Sequence, residues 1–505
     1  MSESGSSYIS NVVVNEKNAE KQAPFQRDGE NGSYTSHNQN RFLKIWYEHQ
    51  FTIVITSLQV LFMVLMGIWG RYGNDELPGG VVEIDTINAQ YPMFQDIHVM
   101  VFAGFGFLMT FLRRYGYSAV AINFLLAAFT IEWAVIVRGF IFQLPNATRF
   151  QVGLDMLIES DFIAATILIS MGAVLGKLSP IQYLIMALIE VPVAIGIEHV
   201  VVKTLGVNDV GGSLTIHCFG AYFGMACTTT FAKKIQRNHR NEGTVYHSDI
   251  FSMIGTIFLW CFWPSFNAAD VETETARQRA VANTYLSLVA CTVTTFIVTQ
   301  LTHEHKKFDM MHIANATLAG GVGVGTAANA ILYPLDAMIV GVTVAIVSTL
   351  GFKFLTPLLA KVGIHDTCGV HNLHGMPAVV AGISSILFAV AYDMNDYGNS
   401  LNEIYPHMER HPDGSWNAQK QAVHQLLGLL IVWGAGLVAG AVTGFILRLP
   451  IWRQISDDEL FADGEFFETP EDYEWTSKLS SKVENLEDLR RRIFLAGDEI
   501  NRLPH

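Results

Sequence analysis

The sequence predicts an all-α membrane protein with twelve transmembrane helices and a five-plus-five inverted repeat, and three observations carry that expectation. Half of the 505 residues are hydrophobic and only 15% are charged, against about 25% charged in an ordinary soluble domain. Twelve windows are long and apolar enough to cross the hydrocarbon core, which takes about 20 helical residues. One spacing of aspartate to histidine occurs twice, on helices expected to run in opposite directions.

The chain divides into three parts. Residues 1-45 read as a polar, disordered cytoplasmic arm: the first 40 are rich in Ser, Asn, Glu and Lys and lack an apolar h-region, so no cleaved signal peptide is expected. The first membrane helix would then serve as the targeting signal. Residues 46-450 form the transmembrane domain, with spans expected at 51-70, 97-112, 117-142, 161-176, 180-205, 213-231, 249-269, 279-303, 310-332, 334-359, 373-394 and 422-448. Several windows are short or rich in glycine, which leaves counts of eleven and thirteen open. Residues 451-505 are expected to be a cytoplasmic tail. Val483, Leu486, Leu489 and Ile493 fall at helical spacing within it. That pattern suits either a short amphipathic helix for a cytoplasmic partner or a solvated tail.

Orientation follows from the basic residues of short loops. Arg113 and Arg114, Lys177, then Lys233, Lys234, Arg237 and Arg240 lie in alternate loops, and Lys306, Lys307, Lys361, Arg448 and Arg453 continue the series. The intervening loops hold mostly acids, such as Asp270, Glu272 and Glu274. Both termini are therefore expected in the cytoplasm of a multi-pass plasma-membrane protein. The excess of 46 acids over 32 Lys and Arg gathers in the tail and loops, so it implies neither a cationic partner nor nucleic acid. Five cysteines, Cys218, Cys227, Cys261, Cys291 and Cys368, contain no CxxC or zinc spacing and mostly sit in apolar segments as packing residues. Asn146-Ala147-Thr148 is a glycosylation candidate that this topology puts outside, whereas the triplet at Asn315 falls inside a span.

Asp209 precedes His217 by eight positions (217 − 209), and Asp366 precedes His374 by eight (374 − 366). Each aspartate opens a membrane helix beside glycine, where its oxygen can accept from first-turn amides. Eight residues at 1.5 Å rise carry each imidazole about 12 Å inward, close to the midplane of the bilayer. The two helices are the sixth and eleventh spans, five apart and opposite in direction. An inverted repeat places its substrate site at the midplane between halves. The leftover spans are 51-70 and 422-448. Intramembrane histidines are costly and usually functional; the competing readings are a bond to a neighbouring helix alone, or a metal pair, for which no third ligand stands nearby. The glycines of 319-325 and 436-444 suit close helix packing.

Four stretches carry a resemblance. They are 209-224 (Asp-Val-Gly-Gly-Ser-Leu-Thr-Ile-His-Cys-Phe-Gly-Ala-Tyr-Phe-Gly), 262-267 (Phe-Trp-Pro-Ser-Phe-Asn), 315-321 (Asn-Ala-Thr-Leu-Ala-Gly-Gly) and 366-375 (Asp-Thr-Cys-Gly-Val-His-Asn-Leu-His-Gly). Over about residues 42 to 455 the chain resembles the Rh branch of the Amt/MEP/Rh ammonium transporter superfamily, and the additional first helix marks that branch. The resemblance implies a homotrimer with one pore per subunit. His217 and His374 match the twin pore histidines, Phe162 the outer and Phe266 the inner member of a phenylalanine gate, Asp209 the acid on the vestibule side and Asp366 its cytoplasmic counterpart. Glu198 and Asp309 match further acidic positions, where a span-end acid is also commonly structural. His371 departs from the pattern and suits either a cytoplasmic-mouth base or a helix-end histidine. The aromatic cation-recruiting site of the Amt branch is not evident.

The expected function is facilitated passage of ammonia through an apolar pore after ammonium gives up its proton, with ammonia/ammonium, membrane lipid and the trimer's other subunits as the partners and no cofactor or metal. Electrogenic ammonium transport and carbon dioxide permeation are the alternatives within transport. A non-transporting structural anchor is the alternative outside it, which would tolerate loss of the pore histidines and phenylalanines that this chain keeps. No Ser/His/Asp arrangement, P-loop or HExxH appears, so no enzyme is expected.

Overall fold

The computed structural model describes residues 33–73, 77 and 84–470. Most of the polar arm and the segment 483–493 lie outside the described residues. Up to His49 the chain forms a unit of its own, the start of the helix Ser33–Trp69, with an exposed Lys44–Glu48 pair one turn apart. The second unit runs from Gln50 onward.

Among the described residues, ten helices are long and apolar enough to cross a membrane. In chain order we label them α1 (Lys44–Trp69), α2 (Gln90–Phe111), α3 (Ser118–Gln143), α4 (Leu154–Val174), α5 (Pro180–Thr204), α7 (Tyr246–Ala268), α8 (Glu274–Thr302), α11 (Pro334–Lys361), α12 (His371–Ala391) and α13 (Ala418–Leu447). The sixth expected window is one continuous helix, and the ninth forms shorter pieces. The label α6 covers residues 213–230, a π-helical start Ser213–Cys218 continued by Phe219–Thr230. The window 310-332 breaks into α9 (Met310–Ala316) and α10 (Ala319–Gly325) and then turns. Glycine explains that break. Four of the seven residues of α10 are glycine, each costing close to 1 kcal/mol of helix propensity relative to alanine. They are there for close approach: a Cβ on Gly320 would meet the Ser287 carbonyl at 2.8 Å, and one on Gly321 would strike the Trp263 ring at 2.5 Å.

Local chemistry sets the helix starts. Ser179 and Gln182 cap the start of α5, the Ser179 amide donating to Gln182 Oε1 at 2.8 Å, with Pro180 at the first helical position. Asn417 accepts from the Lys420 amide at 3.1 Å to open α13. A pair of three-residue parallel strands, β1 (Gly70–Tyr72) and β2 (Phe150–Val152), departs from the helical pattern and joins the end of α1 to the segment before α4.

Packing orders the bundle around α4, α6 and α10, whose side chains are almost all buried. The α6–α13 contact is backbone-close because a Cβ on Gly440 would lie 2.1 Å from the Phe223 carbonyl oxygen. Outward faces are apolar, as Val60 and Met63 on α1 and Val438 and Phe445 on α13 show by their exposure, which in this context is a lipid-compatible surface. The first part of the tail is docked. Phe461 donates its amide to the Gly176 carbonyl at 2.9 Å, and the Asp463 carboxylate accepts from the Tyr117 and Ser118 amides at 2.9 and 2.8 Å.

Candidate pore

The two aspartate–histidine segments fold alike. In the first, Gly212 lies three residues after Asp209 with φ of +63°; in the second, Gly369 lies three after Asp366 with φ of +72°. Left-handed backbone at these two positions favours glycine. Each glycine turns the chain so that the aspartate folds back on the helix start. Asp209 Oδ1 accepts from the Leu214 amide at 3.1 Å and Oδ2 from the Thr215 amide at 2.8 Å. Asp366 Oδ1 accepts from the Gly369 amide at 3.0 Å and Oδ2 from the His371 amide at 2.9 Å. Both histidines then sit in π-helical turns, His217 in Ser213–Cys218 and His374 in His371–Gly375. A π turn inserts a residue and re-aims the side chains that follow, a device frequent at functional sites.

The imidazoles meet. His217 Nδ1 and His374 Nδ1 are 3.1 Å apart, with ring planes 7° from parallel and centroids 5.1 Å apart. Only one of the two nitrogens can carry the shared hydrogen, so one ring donates and the other accepts. Both side chains are buried, at 1% and 3% exposure, and His217 Nε2 has no hydrogen-bond partner among the described residues. Trp263 stacks on His217 at 5.6 Å, and Phe105 lies parallel to His374 at 6.4 Å. Outside the pair, Phe162 and Phe266 make an edge-to-face contact at 4.7 Å, with Phe266 5.8 Å from His217.

Two cavities flank this dry layer. The one on the Asp209 side, called outer after the topology expected from the loop charges, is about 380 Å³, reaches to Phe162, Thr215 and Ile216 and carries Asp209 and Glu198 on its wall. The inner one, about 620 Å³, is lined by Asp366, His371, His365 and Glu242 among others. A small gap of about 20 Å³ touches His374 and is lined mainly by Phe105, Leu168, Ile169 and Leu373, with Asn315 and Cys368 at its edge. Two polar vestibules separated by an apolar layer holding two neutral-capable bases form an arrangement that charged species cross poorly.

The remaining expected residues fall as follows. Glu198 is bound by Arg138, Nη1 to Oε2 at 2.6 Å and Nη2 to Oε1 at 2.9 Å, while Arg138 Nε also reaches Glu159 at 2.8 Å. Asp309 caps α9 by accepting from the Met311 and His312 amides and lines neither vestibule. His371 stands at the inner vestibule, edge-on to Tyr222 at 5.7 Å. Asn146 lies in an exposed turn, whereas Asn315 is 8% exposed within the bundle. Among the described residues no group of three His, Cys, Asp or Glu side chains is arranged to hold a metal ion. Sequence reasoning missed Arg138, a charge inside an apolar window that the rarity of such residues marks for scrutiny. It also passed over the site role of Trp263 and the His365–Glu242 pair at 2.8 Å, which join residues 123 positions apart and give no local signal.

Residues 51–466 match the description of the Ammonium Transporter Family. The chain is similar to the ammonium transporter Rh type B-A of Xenopus laevis, 44% identical over 82% of this chain and 92% of that one. It is likewise similar to the human ammonium transporter Rh type C, 43% identical over 82% of this chain and 88% of that one. Among solved structures, Nitrosomonas europaea Rh50, described with the mechanism of conduction by the Rhesus protein family of channels, superposes with a TM-score of 0.66 at 32% identity, covering 81% of this chain and all of that one. Saccharomyces cerevisiae Mep2, at 19% identity and a TM-score of 0.61 over 74% of this chain and 88% of that one, shares the fold.

Proposed function

The chain belongs to the ammonium transporter family and carries ammonia or ammonium across a membrane, and from that premise we propose that ammonia is the species that passes its gate. The observation that supports this most is the 3.1 Å contact between His217 and His374 beside the edge-to-face Phe162 and Phe266. Stripping water from a cation costs several kcal/mol even after the surroundings relax, and phenylalanine faces restore only part of it. Neutral ammonia gives up two or three ordinary hydrogen bonds, and the histidine pair offers both a donor and an acceptor in exchange.

In this reading ammonium enters the outer vestibule, leaves its proton there, and crosses as ammonia past Phe162, Phe266, His217 and His374. Asp209 and Asp366 act by fixing the helix starts that aim the two imidazoles. Glu198, held by Arg138, shapes the charge of the outer mouth. Asp309 holds α9, and His371 faces the inner vestibule as a base at the cytoplasmic mouth. The paired Asp–Gly–His segments favour two inverted halves with α6 and α12 as counterparts, twelve membrane crossings once α6 and the α9–α10 pair are counted, and three subunits each with its own pore. The alternating basic loops favour cytoplasmic termini in a plasma membrane.

Uptake of labelled methylammonium into proteoliposomes across a pH series tests the pore. His217→Ala should change rate and selectivity; a variant indistinguishable from the original protein at every pH would remove the assignment.

A further inference from the structure

Ammonium must hand its proton to some group before the gate, and the outer vestibule holds six carboxylates. Their hydrogen bonds separate them. Asp209 uses both oxygens, Oδ1 accepting from Thr326 Oγ1 at 2.7 Å as well as the Leu214 amide, and Oδ2 from Thr215 Oγ1 at 2.9 Å as well as its amide. Glu159 and Glu198 share the Arg138 guanidinium. Glu403 accepts from the Glu272 and Thr273 amides, one on each oxygen. Asp270 and Glu272 line the same cavity, are exposed to it, and make no side-chain hydrogen bond or ion pair among the described residues; of the two, Asp270 is the nearer along the chain to the gate, four residues beyond Phe266.

We propose that Asp270 is the group that takes the proton from ammonium in the outer vestibule and so delivers ammonia to the Phe162–Phe266 gate. The inference rests on the pore reading above. One N–H bond of ammonium breaks, its electron pair stays on nitrogen, and an O–H bond forms on the Asp270 carboxylate. The acid then loses that proton to vestibule water, and the group is ready again.

The surroundings tune the exchange. Enclosure by the vestibule walls, then Glu159 and Glu198, push the Asp270 carboxyl up to about 7, while Lys203 and Arg138 pull it down. Glu272, Glu403, Asp209 and His407 complete the charged and titratable groups of the cavity. Water reaches Asp270, so screening moderates the size of that shift and leaves its direction. A base whose own pKa lies near the working pH both accepts and releases a proton readily. Above that value Asp270 is a carboxylate and accepts; below it the site is already protonated and the route closes.

Initial internal alkalinisation of proteoliposomes at fixed total ammonium, from pH 5.5 to 8.5, reads this directly. With Asp270 accepting, the rate should fall about tenfold per pH unit below its pKa and flatten above it. Asp270→Asn leaves only ammonia already free in bulk water, so its rate should climb about tenfold per unit across the whole range, without a plateau. Asp270→Glu should restore the plateau. A plateau that persists in Asp270→Asn overturns the assignment, as does one lost instead in Glu272→Gln. Absence of flux dependent on His217 in the unsubstituted protein would instead sink the pore reading, so the two failures are distinguishable.

Discussion

Arg138→Met removes the cation that pairs with both Glu159 and Glu198 at the outer mouth. Arg138 is 3% exposed in its side chain, Glu159 31% and Glu198 21%. Breaking a buried ion pair by deleting one partner costs about 3–5 kcal/mol, because the remaining charge is left uncompensated. Here the two carboxylates border a water-filled vestibule and can be hydrated or protonated, so the expected loss is at the lower end, about 3 kcal/mol. Graded unfolding of the detergent-solubilised protein by dodecyl sulfate measures it. The triple variant Arg138→Met, Glu159→Gln, Glu198→Gln removes both charges along with the cation and should recover most of the loss, since replacing a whole buried ion pair is often close to neutral. A single variant costing under about 1 kcal/mol, or a triple variant no more stable than the single one, would refute the view that Arg138 neutralises these acids.

Asp209→Asn puts an amide donor where four donors converge, and should lose about 1–3 kcal/mol together with flux, as unmet buried donors do; Asp270→Asn, in contrast, should alter the pH profile at unchanged stability, and the same unfolding titration separates them. Gly440→Ala sets a methyl 2.1 Å from the Phe223 carbonyl and should cost about 1–3 kcal/mol by overpacking the α6–α13 contact, measured as a lower midpoint. Asp463→Ala removes the acceptor for the Tyr117 and Ser118 amides and should cost about 1 kcal/mol, the usual size for a lost helix-start acceptor, with initial uptake rates retained.

Periodicity and spacing made the histidine pair legible in advance. Eight residues from each aspartate led to one expected depth, and alternating loop charges to opposite expected directions; the direct contact of His217 and His374 is seen only in the fold. Glycine beside each aspartate permits the left-handed turns at Gly212 and Gly369 without requiring them, and no residue type announces the inserted position of a π turn. The window 310-332 misled for a related reason: its apolar length suits one span, while its glycines serve close contact with Ser287 and the Trp263 ring and let the helix break. Glu198 was visible as a span-end acid, yet its capture by Arg138, 60 residues earlier, depends on how α3 and α5 pack. The freedom of Asp270 could be seen only once Asp209, Glu159, Glu198 and Glu403 had been matched to their donors.

Charge and proton movement recorded together decide the nature of the species that crosses. In proteoliposomes fitted with an internal pH dye and a potential-sensitive dye, an ammonium pulse should raise internal pH with no accompanying membrane potential, and His217→Ala should alter that alkalinisation. One positive charge entering per ammonium taken up, with His217 intact, would contradict passage of ammonia between the two imidazoles.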